Sequence, residues 1–239
     1  VILSIPGVPS EMEYLMQNTV IPYLRKRFHL QRQVIRYRVL RASGLGESGV
    51  GQQIKDLMKE SKNPTVGTLA SVGDIRIRIT TRAETLEEAS SLIQKMEQEI
   101  RSRLGILIYG VDDETLHGNI ARELERLNLT LSAVETFTGG IISQKLAATG
   151  IQSFVRGTVL PSETSQRSFL HLSQEQLTSL GDDPKRFVEL LAKESRNGVK
   201  ADLGLATFAR IAEEQKKGEY RVETYYSLST STGFENQEY

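Results

Sequence analysis

A short stretch with two hydroxyl side chains and two glycines is the part of the sequence best suited to chemistry. Thr136 and Thr138 precede Gly139 and Gly140, where an apolar strand pattern gives way to a helical one. Paired glycines let a backbone approach a ligand closely, and the first turn of a helix offers N–H groups to an anion such as a phosphate. The stretch therefore predicts a small-molecule site. The alternative is a plain strand-to-helix turn that Thr138 caps.

The composition excludes several other kinds of site. No cysteine is present, so disulfides, thiolate zinc sites and a cysteine nucleophile are excluded. His29, His117 and His171 lack metal-ligand spacing, and we expect no metal and no cofactor. Lys plus Arg and Asp plus Glu are both 30, so no net charge attracts nucleic acid. No apolar run reaches the roughly 18–20 residues of a membrane span and no signal peptide is evident, so we expect a cytoplasmic protein.

The first two parts of the chain differ in their apolar patterns. Residues 1–5 predict a strand and residues 11–28 a helix capped by Ser10, which is too little to bury a core. Residues 31–113 predict the order strand, helix, strand, strand, helix, which is typical of a small α+β module. Ile75, Ile77 and Ile79 supply the buried face of its second hairpin strand.

From about residue 114 onward, strands alternate with helices, which predicts a layered α/β domain. The predicted helices are residues 116–127, 141–148, 163–170 and 184–196, and the predicted strands are residues 130–134, 155–160, 201–207 and 221–229.

Several segments resemble the CinA family of competence- and damage-inducible proteins, in that family's own order. VETFTGG (134–140) resembles the family's AESCTGG motif, and PGVPSEM (6–12) resembles the end of its N-terminal molybdopterin-binding-like domain. RASGLGES (41–48) and RLGILIYGVDDET (103–115) resemble its middle module, and ADLGLA (201–206) resembles a strand of its C-terminal domain.

The resemblance implies an α/β and α+β protein with three parts. Residues 1–30 would be the tail of the N-terminal domain, most of which would be missing. Residues 31–113 would be a small β-α-β-β-α, KH-like module, and residues 114–239 would be a layered α/β domain of the CinA C-terminal type. We further expect that the chain is cut from something longer, and that it stops before a last strand and helix.

The resemblance also implies nicotinamide-nucleotide amidase chemistry, in which a hydroxyl attacks a carboxamide with help from a base. The family's serine falls on Thr136 and its lysine on Ser165, while its cysteine becomes Phe137. Thr138, Gly139 and Gly140 are retained as ligand-binding positions, to which the resemblance adds Gly157 and Thr207. A neutral serine cannot replace the lysine as a base near neutral pH. In addition, the family's glycine-rich loop falls on residues 207–213, which contain no glycine.

These substitutions predict a degenerate amidase site. It would bind nicotinamide mononucleotide or a related nucleotide, or support a homodimer, rather than catalyse. One alternative is an active amidase that uses Thr136. A further alternative is a non-catalytic scaffold or an RNA-binding module, although Glu47 disfavours phosphate at the Gly46–Gly49 loop and we expect no nucleic-acid partner.

Overall fold

The computed structural model describes residues 2–28, 33–71, 73–181, 183–216 and 219–238, so the predictions for His29 lie outside it. The chain divides into two units, Val1–Glu114 and Thr115–Tyr239, and each contains one sheet. The two sheets with their covering helices confirm the mixed α/β and α+β fold class.

The N-terminal segment differs from its prediction. Residues 2–5 form no strand and are exposed. A strand requires a neighbouring strand for its backbone N–H and C=O groups, and none of the described strands pairs with these residues. Helix α1 (Pro9–Leu15), a π-helical turn (Met16–Val20) and α2 (Ile21–Arg27) then follow without a break. Ser10 lies inside α1, whose N-cap is Val8, so the predicted cap was wrong. Pro22 lies in the first turn of α2, where its missing N–H is tolerated.

Unit 1 contains a four-stranded antiparallel sheet in the order β2-β3-β1-β4. Its elements are β1 (Val34–Ala42), α3 (Glu47–Gln53), α4 (Lys55–Glu60), β2 (Thr65–Ser71), β3 (Asp74–Ala83), α5 (Leu86–Leu104) and β4 (Ile108–Val111). The first helix of the predicted strand, helix, strand, strand, helix order is divided at Ile54 into α3 and α4. As predicted, Ile75, Ile77 and Ile79 are buried, because alternate side chains of a strand face the helices.

A polar cluster ties three strands of this sheet together. Asp74 on β3 accepts hydrogen bonds from the guanidinium of Arg41 on β1 (2.9 Å) and from the hydroxyl of Tyr109 on β4 (2.8 Å). Arg76 adds a third contact to the same carboxylate at 3.2 Å. Burial alone would raise the pKa of Asp74, but these hydrogen bonds and charges lower it below its ordinary value.

Unit 2 contains a five-stranded sheet in the order β6-β5-β7-β8-β9. Its elements are α6 (Leu116–Leu127), β5 (Leu131–Glu135), α7 (Ile141–Ala147), β6 (Phe154–Val159), α8 (Glu163–Phe169), α9 (Gln174–Gly181), α10 (Pro184–Val199), β7 (Leu203–Lys216), β8 (Glu219–Ser229) and β9 (Phe234–Glu238). Strand β5 is parallel to β6 and β7, whereas β7, β8 and β9 are antiparallel. The sequence did not predict α9 or β9.

Helices cover both faces of this sheet. On one face, the hydroxyls of Ser132 on β5 and Ser195 on α10 are 2.7 Å apart, and Val134 packs in the same core as Leu191. On the other face, Leu131 packs with Leu124 of α6 and Leu146 of α7. Strand β5 is therefore buried on both sides, as expected of a central parallel strand.

Candidate functional site

The predicted site lies at the carboxyl end of β5, the central one of three parallel strands. From β5 the chain passes through α7 to β6 on one side, and α10 then leads to β7 on the other side of β5. In sheets of this kind ligands bind beyond the carboxyl ends of the strands at such a switch point. Thr136, Thr138, Gly139 and Gly140 follow β5 directly, and Thr207 pairs with Glu135 on the neighbouring strand.

The carboxylate of Glu135, which the sequence analysis overlooked, organises this edge. Glu135 is fully buried and accepts hydrogen bonds from the hydroxyls of Thr138 (2.5 Å) and Ser143 (2.6 Å). It also accepts from the backbone N–H groups of Ser143 (2.8 Å) and Ile142 (3.1 Å) in the first turn of α7. The carboxylate therefore occupies the N–H groups of Ile142 and Ser143 that were expected to face a ligand anion, while ligand binding at Thr138, Gly139 and Gly140 stays a prediction.

These hydrogen bonds also explain the acidity of Glu135. Burial alone would raise its pKa, but donation from Ser143, Thr138 and Ile142 stabilises the charged form and lowers the pKa below its ordinary value. The negative charge additionally suits the positive end of the helix dipole. Glu135 is therefore ionised at neutral pH.

The two glycines give the turn its shape. Gly139 and Gly140 have φ angles of +65° and +92°, a region that residues with a Cβ rarely adopt. Gly140 is the N-cap of α7, so Thr138 does not cap the helix as the alternative interpretation predicted. The hydroxyl of Thr138 instead donates to Glu135.

Thr136, the predicted nucleophile position, is hydrogen-bonded to the main chain. Its Oγ1 donates a hydrogen bond to the main-chain carbonyl of Thr207 at 2.9 Å. A peptide carbonyl accepts a hydrogen bond but does not take up a proton near neutral pH. Among the described residues, no basic side chain is hydrogen-bonded to this hydroxyl. Within the described residues, Thr136 therefore forms no hydrogen-bonded nucleophile–base pair of the kind that acyl-transfer chemistry uses.

Ser165, the position of the family's lysine, is occupied in helix capping. Its hydroxyl donates to the carbonyl of Ser162 (2.7 Å) and accepts from the N–H of Ser162 (3.1 Å). The Ser165 N–H in turn donates to the Ser162 hydroxyl, which completes a capping box at the start of α8. These contacts give Ser165 a structural role in capping α8.

We expect Ser165→Ala to destabilise unit 2 by about 1 kcal/mol, since one half of a capping box is lost. Urea unfolding followed by circular dichroism measures the change. Ser168→Ala, an exposed position of the same helix, is the matched control and should have little effect. Equal effects of the two substitutions would contradict the capping role.

The two remaining predicted ligand-binding positions, Gly157 and Thr207, lie within strands β6 and β7. A Cβ at Gly157 would lie 2.4 Å from the Cβ of Ser143, so a glycine there lets α7 pack closely on β6. Thr207 is fully buried, and its Oγ1 has no hydrogen-bond partner among the described residues. Strand β7 continues past Thr207 and pairs with β8, where the family resemblance implied a glycine-rich loop.

A cavity that the sequence analysis missed lies on the α10 face, beside the segments that follow β6 and Thr207. Its volume is about 490 Å³, within the range of small-molecule pockets. Phe187 and Phe208 form part of its wall, with ring centroids 4.8 Å apart, and Gln166 and Arg210 contribute polar groups. Arg210 is paired with Glu223 at 2.8 Å.

Two other kinds of feature are absent from the described ranges. No helix there is long and apolar enough to cross a membrane. No group of three or more histidine and acidic side chains in those ranges could hold a metal ion.

Comparison with known families agrees with this mixed α/β architecture of two successive units. A family model described as the damage-inducible protein CinA KH domain matches residues 37–110, and the CinA C-terminal domain model matches residues 113–220. The chain belongs to the CinA family.

Relatives in several bacteria support this assignment. The chain is 33% identical over 208 residues to the CinA-like protein of Kosmotoga olearia, covering 86% of this chain and 50% of that protein. It is 36% identical over 203 residues to the putative competence-damage inducible protein of Moorella thermoacetica, covering 84% and 49%. The chain thus spans about half the length of the curated relatives it matches.

Solved structures give a weaker likeness. The competence/damage inducible protein CihA from Agrobacterium tumefaciens aligns with 22% identity and a TM-score of 0.43, covering 51% of this chain and 76% of that one. A competence or damage-inducible protein from Enterobacter asburiae aligns with 21% identity and a TM-score of 0.45, covering 53% and 84%.

Proposed function

We propose that unit 2 is a CinA-type domain that binds a ligand of the pyridine-nucleotide class, such as nicotinamide mononucleotide, without hydrolysing it. The observation that carries the proposal is the hydrogen bond from Thr136 Oγ1 to the carbonyl of Thr207. The hydroxyl in the nucleophile position is held by a group that cannot accept its proton. The capping role of Ser165 supports the same conclusion.

The position of the site supports ligand binding. The carboxyl ends of β5 and β7 meet at the switch point of the sheet, and the buried Thr207 hydroxyl retains unused hydrogen-bonding capacity. Because Glu135 already occupies the first turn of α7, a ligand phosphate would meet a carboxylate there and gain little. The carboxamide end of the ligand is therefore the part that this site recognises.

We expect no ammonia above the protein-free rate when the protein is incubated with nicotinamide mononucleotide. A coupled glutamate dehydrogenase assay measures the release, and a CinA-family amidase that carries the serine and the lysine serves as the positive control. Turnover by this chain that Thr136→Ala abolishes would show that the site is an active amidase.

Binding is tested separately by calorimetric titration with nicotinamide mononucleotide and with nicotinamide riboside. We expect both ligands to bind with similar affinity, because the phosphate finds no free helix terminus at this site. A complete lack of heat and of thermal shift with either ligand would favour a scaffold instead. The homodimer that the resemblance implies stays a prediction, which sedimentation equilibrium would test.

A further inference from the structure

A row of three side chains crosses the sheet of unit 2 at the level of the site. Glu135 pairs with Thr207 in the β5–β7 ladder, and Thr207 pairs with Tyr226 in the β7–β8 ladder. Paired residues of neighbouring strands point to the same face of a sheet, so all three face the side of α7. The polar groups of the row are therefore neighbours in the order carboxylate, hydroxyl and phenol.

The middle member of this row is the anomalous one. Glu135 is satisfied by four donors, whereas the Thr207 hydroxyl is fully buried and has no partner in the part of the chain that the structure describes. A buried hydroxyl that makes no hydrogen bond is unfavourable in a folded protein, and natural structures contain few of them. Such a group is a candidate for a hydrogen bond to a ligand.

An aromatic pair lies beside this hydroxyl. The ring of Phe137, two residues after Glu135, packs edge-on against Tyr226, the direct neighbour of Thr207, with centroids 6.4 Å apart and an interplanar angle of 70°. Phe137 remains 43% exposed. Since Tyr226 is paired with Thr207, the Phe137 ring packs on the strand neighbour of this hydroxyl.

We propose that Phe137, packed on Tyr226, is a specificity-determining cover over the Thr207 hydroxyl. When Phe137 swings outward, the hydroxyl becomes available to a small uncharged group that accepts a hydrogen bond, such as a carboxamide oxygen. The size of the Phe137 side chain then limits which ligands enter. The identity of the ligand rests on the proposed function, but the cover itself does not.

The absence of cysteine from the chain permits a direct test of the cover. Thr207→Cys introduces a single thiol of nearly the same size, and its rate of reaction with a thiol reagent reports access to position 207. We expect slow labelling in this variant, and labelling at least about tenfold faster when Phe137→Ala is added, because less local opening is then required. Phe234→Ala, which removes an aromatic ring of similar exposure on β9, should leave the rate unchanged.

Ser227→Cys supplies the matched thiol control. Ser227 is also buried, and its hydroxyl has no hydrogen-bond partner within the described ranges. It follows Tyr226 directly but faces α10 on the opposite side of the sheet. Phe137→Ala should not accelerate its labelling. An unchanged rate at position 207, or an equal acceleration at positions 207 and 227, would overturn the proposal, because the second result means general loosening.

Thiol labelling in the presence of a ligand distinguishes this proposal from the proposed function. Nicotinamide mononucleotide should slow the labelling of position 207 in the Phe137→Ala background. Acceleration by Phe137→Ala without protection by the nucleotide would leave the cover established and refute the proposed ligand. Protection without acceleration would refute the cover and leave the ligand standing.

Discussion

Glu135→Gln is expected to destabilise unit 2 by about 3 kcal/mol, the largest effect of any single polar substitution at this site. The carboxylate accepts four hydrogen bonds, two of them from the first turn of α7. A glutamine keeps one acceptor oxygen but directs an NH₂ group at other donors, and it removes the charge that suits the helix terminus. Urea unfolding at neutral pH measures the loss.

The matched control for this prediction is Glu123→Gln on α6. Glu123 is exposed and pairs with Arg126, its neighbour three residues along the helix. A surface pair of this kind contributes little to stability, so no measurable change is expected. A loss at Glu135 no greater than that at Glu123 would contradict the structural role of the buried carboxylate.

The same carboxylate makes the stability of unit 2 depend on pH. Its pKa is lower in the folded protein than in the unfolded chain, so the unfolded state binds protons first as the pH falls. The contribution of Glu135 is complete above its unfolded pKa and is lost as the pH falls through the folded pKa. The difference in unfolding free energy between wild type and Glu135→Gln should therefore shrink as the pH is lowered from neutral to below the unfolded pKa.

Gly204→Ala is expected to destabilise unit 2 by about 3 kcal/mol through steric overlap between β7 and α10. An added Cβ would lie 2.1 Å from the carbonyl oxygen of Ala192 and 2.7 Å from the Cβ of Arg196. The clashing carbonyl belongs to the helix backbone, so relief requires that α10 moves away from the sheet. Thermal and urea unfolding both report this change.

Gly233→Ala provides the comparison for Gly204→Ala. Gly233 lies between β8 and β9, where an added Cβ meets nothing within 4 Å. Its replacement should change stability by no more than about 0.5 kcal/mol. If both alanine variants unfold at the same urea concentration as the wild type, the close approach of α10 to β7 is wrong.

Periodic segments were predictable because their pattern reflects burial directly. Ile75, Ile77 and Ile79 alternate with arginines, and a strand with one face against helices requires that alternation. The helix predicted at residues 116–127 has the same bounds in the structure, with Thr115 as its N-cap and Asn128 in the left-handed conformation at its end. Local signals at both ends fix such a helix.

Features that depend on distant partners were not predictable. Strand β9 is exposed at every position, so it carries no apolar pattern and exists only because β8 offers a free edge. The extension of β7 beyond Thr207 likewise depends on pairing with β8. Glu135 could have been suspected, because an acidic residue that ends an apolar strand just before a helix start suits the helix dipole. Its four donors are visible only in the folded chain.

The hydrogen bond from Tyr109 to Asp74 limits where this chain can be divided into two fragments for separate study. Truncation before residue 108 would remove β4 and with it the phenol that holds Asp74 and Arg41. Glu114 belongs with the upstream fragment, since its carboxylate accepts from the N–H of Val111. Thr115 belongs with the downstream fragment, because its hydroxyl accepts from the N–H of Gly118 at the start of α6. A division between residues 114 and 115 thus keeps the Val111–Glu114 contact in the upstream fragment and the Thr115–Gly118 contact in the downstream one.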